Sequence, residues 1–525
     1  MSLKVWLGRI TALALAASAI SAQPPRPKTL VGIQVAGHSL LDEGMDRCLD
    51  TIQSTCHANT LFLYSHSYYA AHQRPPAAYA DHGVPIRDER GRKITRVWLR
   101  HRETAFKGTS LSVPSPSPDE EYGDRDLFAE TAEACRKRGL KFYARILEPG
   151  SKELGGRVPN FERAMSVGLD GRISSQPCRN NPEWIGFWDG LVGDTLRSYP
   201  LDGYQWGAER VGPLSGLLWQ GKTPSCFCRH CETRAHRQGI DVSQAREGFT
   251  ELHGLITKLR AGGAPPPDGV FTNVLRLLMR YPEILAWDYQ WRRALEEQGK
   301  RTYDLVKAAR PNAQVGRHFD HQNTSWDGIF LAQCSYAEVA PYSDFIKPIL
   351  YHDILAPRLR ANHLEELKKG PLSELSLSQS LDIFYAIRGY DPKLQPKLEE
   401  LGSRGMDPEY VGVETRRIVQ SVAGRCEVFP GIGVDIPNSI PTATAKPGEQ
   451  KDFGTQPASL QAAVRHAFDA GASGIVISRE YDEMRISVHR QFKGKPFIYS
   501  DIPGATIDTL ADLKKEMAEL KHLAS

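Results

Sequence analysis

Short β-rich runs alternate with amphipathic stretches along most of the chain, the pattern that successive βα units make. Eight runs read as strands: 30–35, 60–64, 140–147, 201–205, 313–317, 345–350, 426–430 and 474–478. Helical patterns around 41–52 and over 126–138 follow the first two strands, and each later strand has a helix available behind it. Eight such units argue for an α/β fold, a (β/α)8 TIM barrel. A doubly wound open sheet is the competing arrangement, but no glycine-rich phosphate loop follows the first strand.

Three long connections interrupt the alternation. Residues 66–124 are charged and rich in Ser and Pro, above all over 110–119, and predict a long surface loop. Residues 240–300 are helical around a Pro265-Pro266-Pro267 break, and 370–424 read as a helical insertion. The barrel then spans 29–503, and 507–523 predicts a helix in the closing segment 504–525. Loops after strands are where barrels place specificity, so long ones predict an elaborate cleft.

The first residues read differently. Lys4 and Arg9 flank the start of the apolar run 10–20, and Ala17, Ser18, Ala19, Ser21 and Ala22 are small. Pro24-Pro25-Arg26-Pro27 then breaks any helix. This predicts a signal peptide over 1–22 and a Pro-rich linker over 23–28, hence export to the periplasm or beyond. No other segment reaches membrane-spanning length. A hydrophobic content of 41% is ample for a large core. With 66 basic and 62 acidic residues interspersed, and no basic run interleaved with aromatics, a nucleic-acid footprint is absent.

Barrel chemistry sits at the C-terminal ends of the strands, so the polar residues just past each strand are the candidates. In chain order they are His38; Ser65 and His66; Arg145 and Glu148; Gln205, Trp206 and Glu209; Arg317, His318, Asp320 and His321; Lys347, Tyr351, His352 and Asp353; Asp435; and Arg479 with Glu480. Singly, each could be a solvated or salt-bridged side chain. Together they mark a polar cleft. Arg317, His318 and Lys347 suit sugar hydroxyls or a carboxylate, and Trp206 and Tyr351 suit stacking.

Cys178 opens Cys-Arg-Asn-Asn-Pro, and Cys226, Cys228 and Cys231 form a C-x-C-x-x-C. Four thiolates close a tetrahedral zinc shell with no open position, so the reading is a structural zinc with no organic cofactor. Reduced or disulfide-paired thiols are the alternative. Glu209 lies between Cys178 and the triplet, in Leu-Asp-Gly-Tyr-Gln-Trp-Gly-Ala-Glu. This order and spacing resemble the zinc-containing β-galactosidases of glycoside hydrolase family 42 and related glycosidase-like barrels. In that family a Cys-Pro-Asn-x-Pro stretch precedes a helix, a strand ends in Asn-Glu with the acid/base, and a C-x-C-x-x-C follows. The likeness covers roughly residues 140–240. Ala208 stands where the family has a sugar-contacting Asn, so the resemblance does not carry a substrate class.

The first reading is a secreted retaining glycoside hydrolase acting on an oligo- or polysaccharide, in which position and the resemblance make Glu209 the acid/base after strand four. A second carboxyl group is required. Asp435, after strand seven, is the expected nucleophile; Glu480, after strand eight, is its rival, and Asp353, after strand six, a weaker one. The substrate-binding candidates are His38, Arg145, Gln205, Trp206, Arg317, His318, Lys347, Tyr351, Asp353 and Arg479. Two alternatives stay open: a barrel that binds carbohydrate without cleaving it, and a metal-dependent barrel hydrolase using rim histidines.

Overall fold

The computed structural model describes residues 29–67, 81–83, 96–114, 125–436 and 454–490. The expected signal peptide, the linker and the C-terminal helix lie outside the described residues. So do parts of the 66–124 connection.

The protein is a (β/α)8 barrel. Its strands are β1 (Leu30–Val35), β2 (Thr60–Tyr64), β3 (Lys141–Leu147), β4 (Gly203–Gly207), β5 (Gln314–Phe319), β6 (Phe345–Pro348), β7 (Glu427–Val428 continued by Gly431–Gly433) and β8 (Gly474–Ser478). Each is parallel to its neighbours, in sequential order, and β1 pairs with both β2 and β8. The ring closes through β7. Its lower half pairs with β6 at Phe345 and Ile346, and its upper half pairs with β8. The interruption falls at Pro430, which has no N–H to give the ladder. Leu350 N nevertheless donates to Gly431 O at 3.0 Å, and Val476 N to Pro430 O at 2.9 Å, so the strand runs through the break.

Helices cover the outside. α1 (Met45–Ser54) follows β1, α2 (Leu127–Arg138) follows β2, α3 (Pro182–Ser198) follows β3 and α4 (Glu283–Ala309) follows β4. Local chemistry sets their ends. Asp126 caps α2 by accepting from Ala129 N at 3.1 Å, and Gly139 ends it in the left-handed region, φ 65°. Asn181 caps α3, whose first position is Pro182. Trp184, Phe187, Trp188 and Leu191 recur at helical spacing and are all buried against the barrel. Among the described residues no helix is long and apolar enough to cross a membrane.

Two expectations change in detail. The predicted helix 41–52 is two helices, Gly37–Asp42 and α1, broken at Gly44 with φ 85°. The 66–124 connection is not wholly a surface loop: Trp98, Leu99, Phe106 and Leu111 are buried in the core. The ring of Phe106 lies 5.5 Å from that of Phe187 on α3.

Candidate active site

Side chains alternate across a strand, so every second residue of each strand points into the barrel. The lower interior is a hydrophobic plug of Leu30, Phe62, Tyr143, Phe345, Phe429 and Val476. Gly316 makes room for it, since a Cβ there would stand 2.0 Å from the Phe345 ring. One step towards the C-terminal end the interior turns polar. β1 supplies Gln34, β2 Tyr64, β3 Arg145, β4 Gln205, β5 His318, β6 Lys347 and β8 Ser478, all buried. β7 supplies Gly431 instead, where a Cβ would meet Lys347 Cε at 2.5 Å.

These groups are joined to one another. Ser478 Oγ donates to Gln34 Oε1 at 3.3 Å, and Gln34 Nε2 to Tyr64 Oη at 3.4 Å. The Arg145 guanidinium lies over the Tyr64 ring at 4.7 Å and donates to Gln205 Oε1. Arg145 Nη1 is also 3.4 Å from His318 Nδ1. His318 Nε2 is 3.0 Å from Glu209 Oε1. Since Arg145 can only donate, His318 accepts at Nδ1 and carries its proton on Nε2, which points at Glu209. Lys347 Nζ donates to Tyr351 Oη at 2.9 Å.

The charges follow from this arrangement. Burial, with Arg145 and Lys347 nearby, pushes the His318 imidazole down to about 3, so it is neutral at neutral pH. Burial would raise the Glu209 carboxyl, but the His318 hydrogen bond and the positive charges of Arg145 and Lys347 outweigh it and hold it at about 2. Glu209 also reaches solvent, with its side chain 35% exposed. Glu480 is the opposite case. It is 3% exposed, and its Oε2 has no hydrogen-bond partner among the described residues. Burial, then the neighbouring charges of Asp482 and Glu483, push it well above the usual carboxylate range. Arg145 acts on both carboxyl groups.

The other candidates fall in different places. Trp206 and Arg317 are corrected: they occupy the outward positions of β4 and β5, beneath the helices. The Trp206 ring is 5.9 Å from that of Trp188 on α3, and Arg317 stacks on Trp206 at 3.7 Å. Arg317 Nη2 lies 3.9 Å from Glu296 on α4. Neither can face a substrate in the barrel mouth. Asp435 is at the expected rim but is consumed by an ion pair: Arg485 Nη2 reaches its Oδ1 at 2.8 Å and Arg485 Nε its Oδ2 at 3.0 Å. Thr455 N and Arg485 N add bonds of 2.7 and 2.8 Å to the same carboxylate. Asp353 accepts from Thr455 Oγ1 at 2.6 Å, which places it in this clamp. His38 meets Asp482 at 3.0 Å, and Arg479 grips Glu483 through two nitrogens. Tyr351 is buried in the ring as the partner of Lys347. Gln34, Tyr64 and Ser478 were missed. Gln34 had a signal, as the one polar side chain within the apolar run of β1.

Cys178, Cys226, Cys228 and Cys231 converge outside the barrel mouth, all buried, with their sulfurs within 4.8 Å of one another. Cys178 Sγ is 3.5 Å from the sulfurs of both Cys228 and Cys231. A tetrahedron of ~2.3 Å zinc–sulfur bonds would need about 3.8 Å between sulfurs, so the set fits a metal ion with little adjustment. Among the described residues it is the one His/Cys/Asp/Glu group with such convergence. The rim histidines form none there.

No protein-family model matches the chain, and no curated protein does. Solved structures to which it is similar include the glycoside hydrolase domain of PgaB (BpsB) from Bordetella bronchiseptica. That match has 10% identity over 86% of this chain and 94% of that one, with a TM-score of 0.43. A β-galactosidase from Halorubrum lacusprofundi matches at 14% identity over 86% of this chain and 52% of that one, TM-score 0.45. A class V chitinase from Pseudomonas fluorescens matches at 9% identity over 88% and 98%, TM-score 0.39. The chain spans about half the length of the β-galactosidases it matches. At these scores the likeness carries no argument about chemistry, which must come from the site.

Proposed function

We propose that the protein is a glycoside hydrolase whose chemistry is carried by Glu209 and Glu480. The supporting observation is a pair of carboxyl groups at one rim, both within electrostatic reach of Arg145, whose surroundings drive their pKa values in opposite directions. Glycoside hydrolysis needs one protonated and one ionised carboxyl across the scissile bond. Glu480, kept protonated by burial and acidic neighbours, is the proton donor to the leaving oxygen. Glu209, ionised and held through one oxygen by neutral His318, presents its other oxygen to the anomeric carbon as nucleophile. After departure of the aglycone, Glu480 accepts a proton from water and the glycosyl–Glu209 ester is cleaved with net retention. These roles reverse the one expected for Glu209 and replace Asp435 by Glu480.

The substrate class proposed is an oligo- or polysaccharide, bound over the floor of Gln34, Tyr64, Arg145, Gln205 and Lys347. The cysteine cluster is proposed to hold a structural zinc, and the N-terminal pattern supports export. The binding-only alternative is favoured by one observation, the near-complete burial of Glu480. A panel of aryl glycosides distinguishes the two. Hydrolysis by the wild type, reduced by about 10³-fold or more in Glu209→Gln, supports the enzyme. Saccharide binding by calorimetry with no turnover of any glycoside supports the binder.

A further inference from the structure

Glu209 sits in a short segment after β4, and a single buried residue outside the polar ring holds that segment on both sides, by its main chain before Glu209 and by its carboxylate after it. Glu148 N donates to Gly207 O at 2.7 Å, two residues before Glu209. The Glu148 carboxylate meets Arg210 Nη2 at 2.6 Å, one residue after it. The same carboxylate accepts from Arg179 Nε at 2.8 Å, Arg179 Nη2 at 2.6 Å and Gln298 Nε2 at 3.1 Å. Glu148 is completely enclosed at its side chain, so these charge-assisted bonds are shielded from water.

The far side of this grip is anchored to the cysteine cluster. Pro177 O accepts from Arg210 Nη1 at 2.9 Å. Cys178 belongs to the sulfur set, Arg179 is the bidentate partner of Glu148, and Asn180 Nδ2 donates to Cys231 Sγ at 3.3 Å. Residues 177–180 therefore connect the cluster to Arg210, which follows the catalytic carboxylate, and to Glu148. We propose that Glu148 and Arg210 are positioning residues that hold Glu209 against His318, with the 177–180 loop and its cysteine cluster as their fixed base. The proposal rests on the catalytic reading of Glu209.

Arg210 is the better residue to change, because Glu148 keeps Arg179 and Gln298 when Arg210 is lost and the protein should fold. Arg210→Met should lower kcat by about 10²-fold, the cost of a misplacement near 1 Å, with KM little changed. Arg210→Lys should recover part of the loss. Freed from His318, Glu209 should titrate nearer the ordinary value of ~4.3, moving the acid limb of kcat/KM upwards. In a Glu209→Gln background Arg210→Met should add nothing, since both act through one carboxylate. Unchanged kcat in Arg210→Met, or an equal fall in both backgrounds, would overturn the proposal. A crystal structure of Arg210→Met gives a readout independent of turnover: a retained 3.0 Å contact between Glu209 and His318 also overturns it. Full activity in Glu209→Gln would instead sink the catalytic reading of Glu209 on which the proposal rests.

Discussion

Glu209, Glu480 and Asp435 are three acids at one rim, and their surroundings give them three different fates. Asp435 is bound to Arg485 fifty positions later in the chain, a partner that no local pattern announces. Asp435→Asn should leave kcat/KM within about threefold while lowering stability by about 1–3 kcal/mol, measured by urea unfolding. The other two predict the pH dependence. The proposed catalysis needs Glu209 ionised, which holds above about 2, and Glu480 protonated, which fails as pH rises through its elevated value. A kcat/KM profile should therefore lack an acid limb near ~4.3 and fall only on the alkaline side, and Glu480→Gln should abolish that fall. Stability follows the same signs. Folding lowers the pKa of Glu209, so its contribution is present above ~4.3 and is lost as pH drops towards the folded value. Folding raises that of Glu480, so its contribution is present below ~4.3 and is lost as pH climbs.

At the level of elements, the eight strands were legible because each is a compact β-rich run, and β1, β2 and β8 fall where the pattern put them. The facing of their side chains was legible too, had the two-residue period been applied: Gln205 inward requires Trp206 outward, and His318 inward requires Arg317 outward. Nearness to a strand end does not by itself turn a polar or aromatic residue towards the cleft, and Trp206 and Arg317 pack outward against the helices. The cysteine spacing was the clearest signal, because C-x-C-x-x-C constrains three ligands locally and leaves only Cys178 to be brought by the fold. Elemental analysis should give about one zinc per chain. Cys228→Ser should destabilise the protein by more than about 2 kcal/mol and release the metal, seen in denaturation and metal titration. Wild-type stability in a metal-free preparation would contradict a structural role for the metal.

Over the whole molecule, a closed barrel converts sequence-distant residues into one floor. Seven strands each contribute one polar side chain, with β7 yielding space at Gly431. The network from Arg145 through His318 to Glu209 depends on that closure and on no single motif, which is why the sequence indicated Glu209 but not its charge state. In the proposed mechanism Glu480 protonates the leaving group while Glu209 attacks. Rates on aryl glycosides of graded leaving-group acidity test it most directly, comparing the wild type with Glu480→Gln and Glu209→Gln. In kcat/KM, which reports the glycosylation step, Glu480→Gln should lose about 10²–10⁴-fold on poor leaving groups and little on dinitrophenyl glycosides, which need no proton there. Glu209→Gln should lose both. A Glu480→Gln variant that cleaves poor leaving groups at the wild-type rate, or a Glu209→Gln variant defective on poor leaving groups alone, would contradict the assignment.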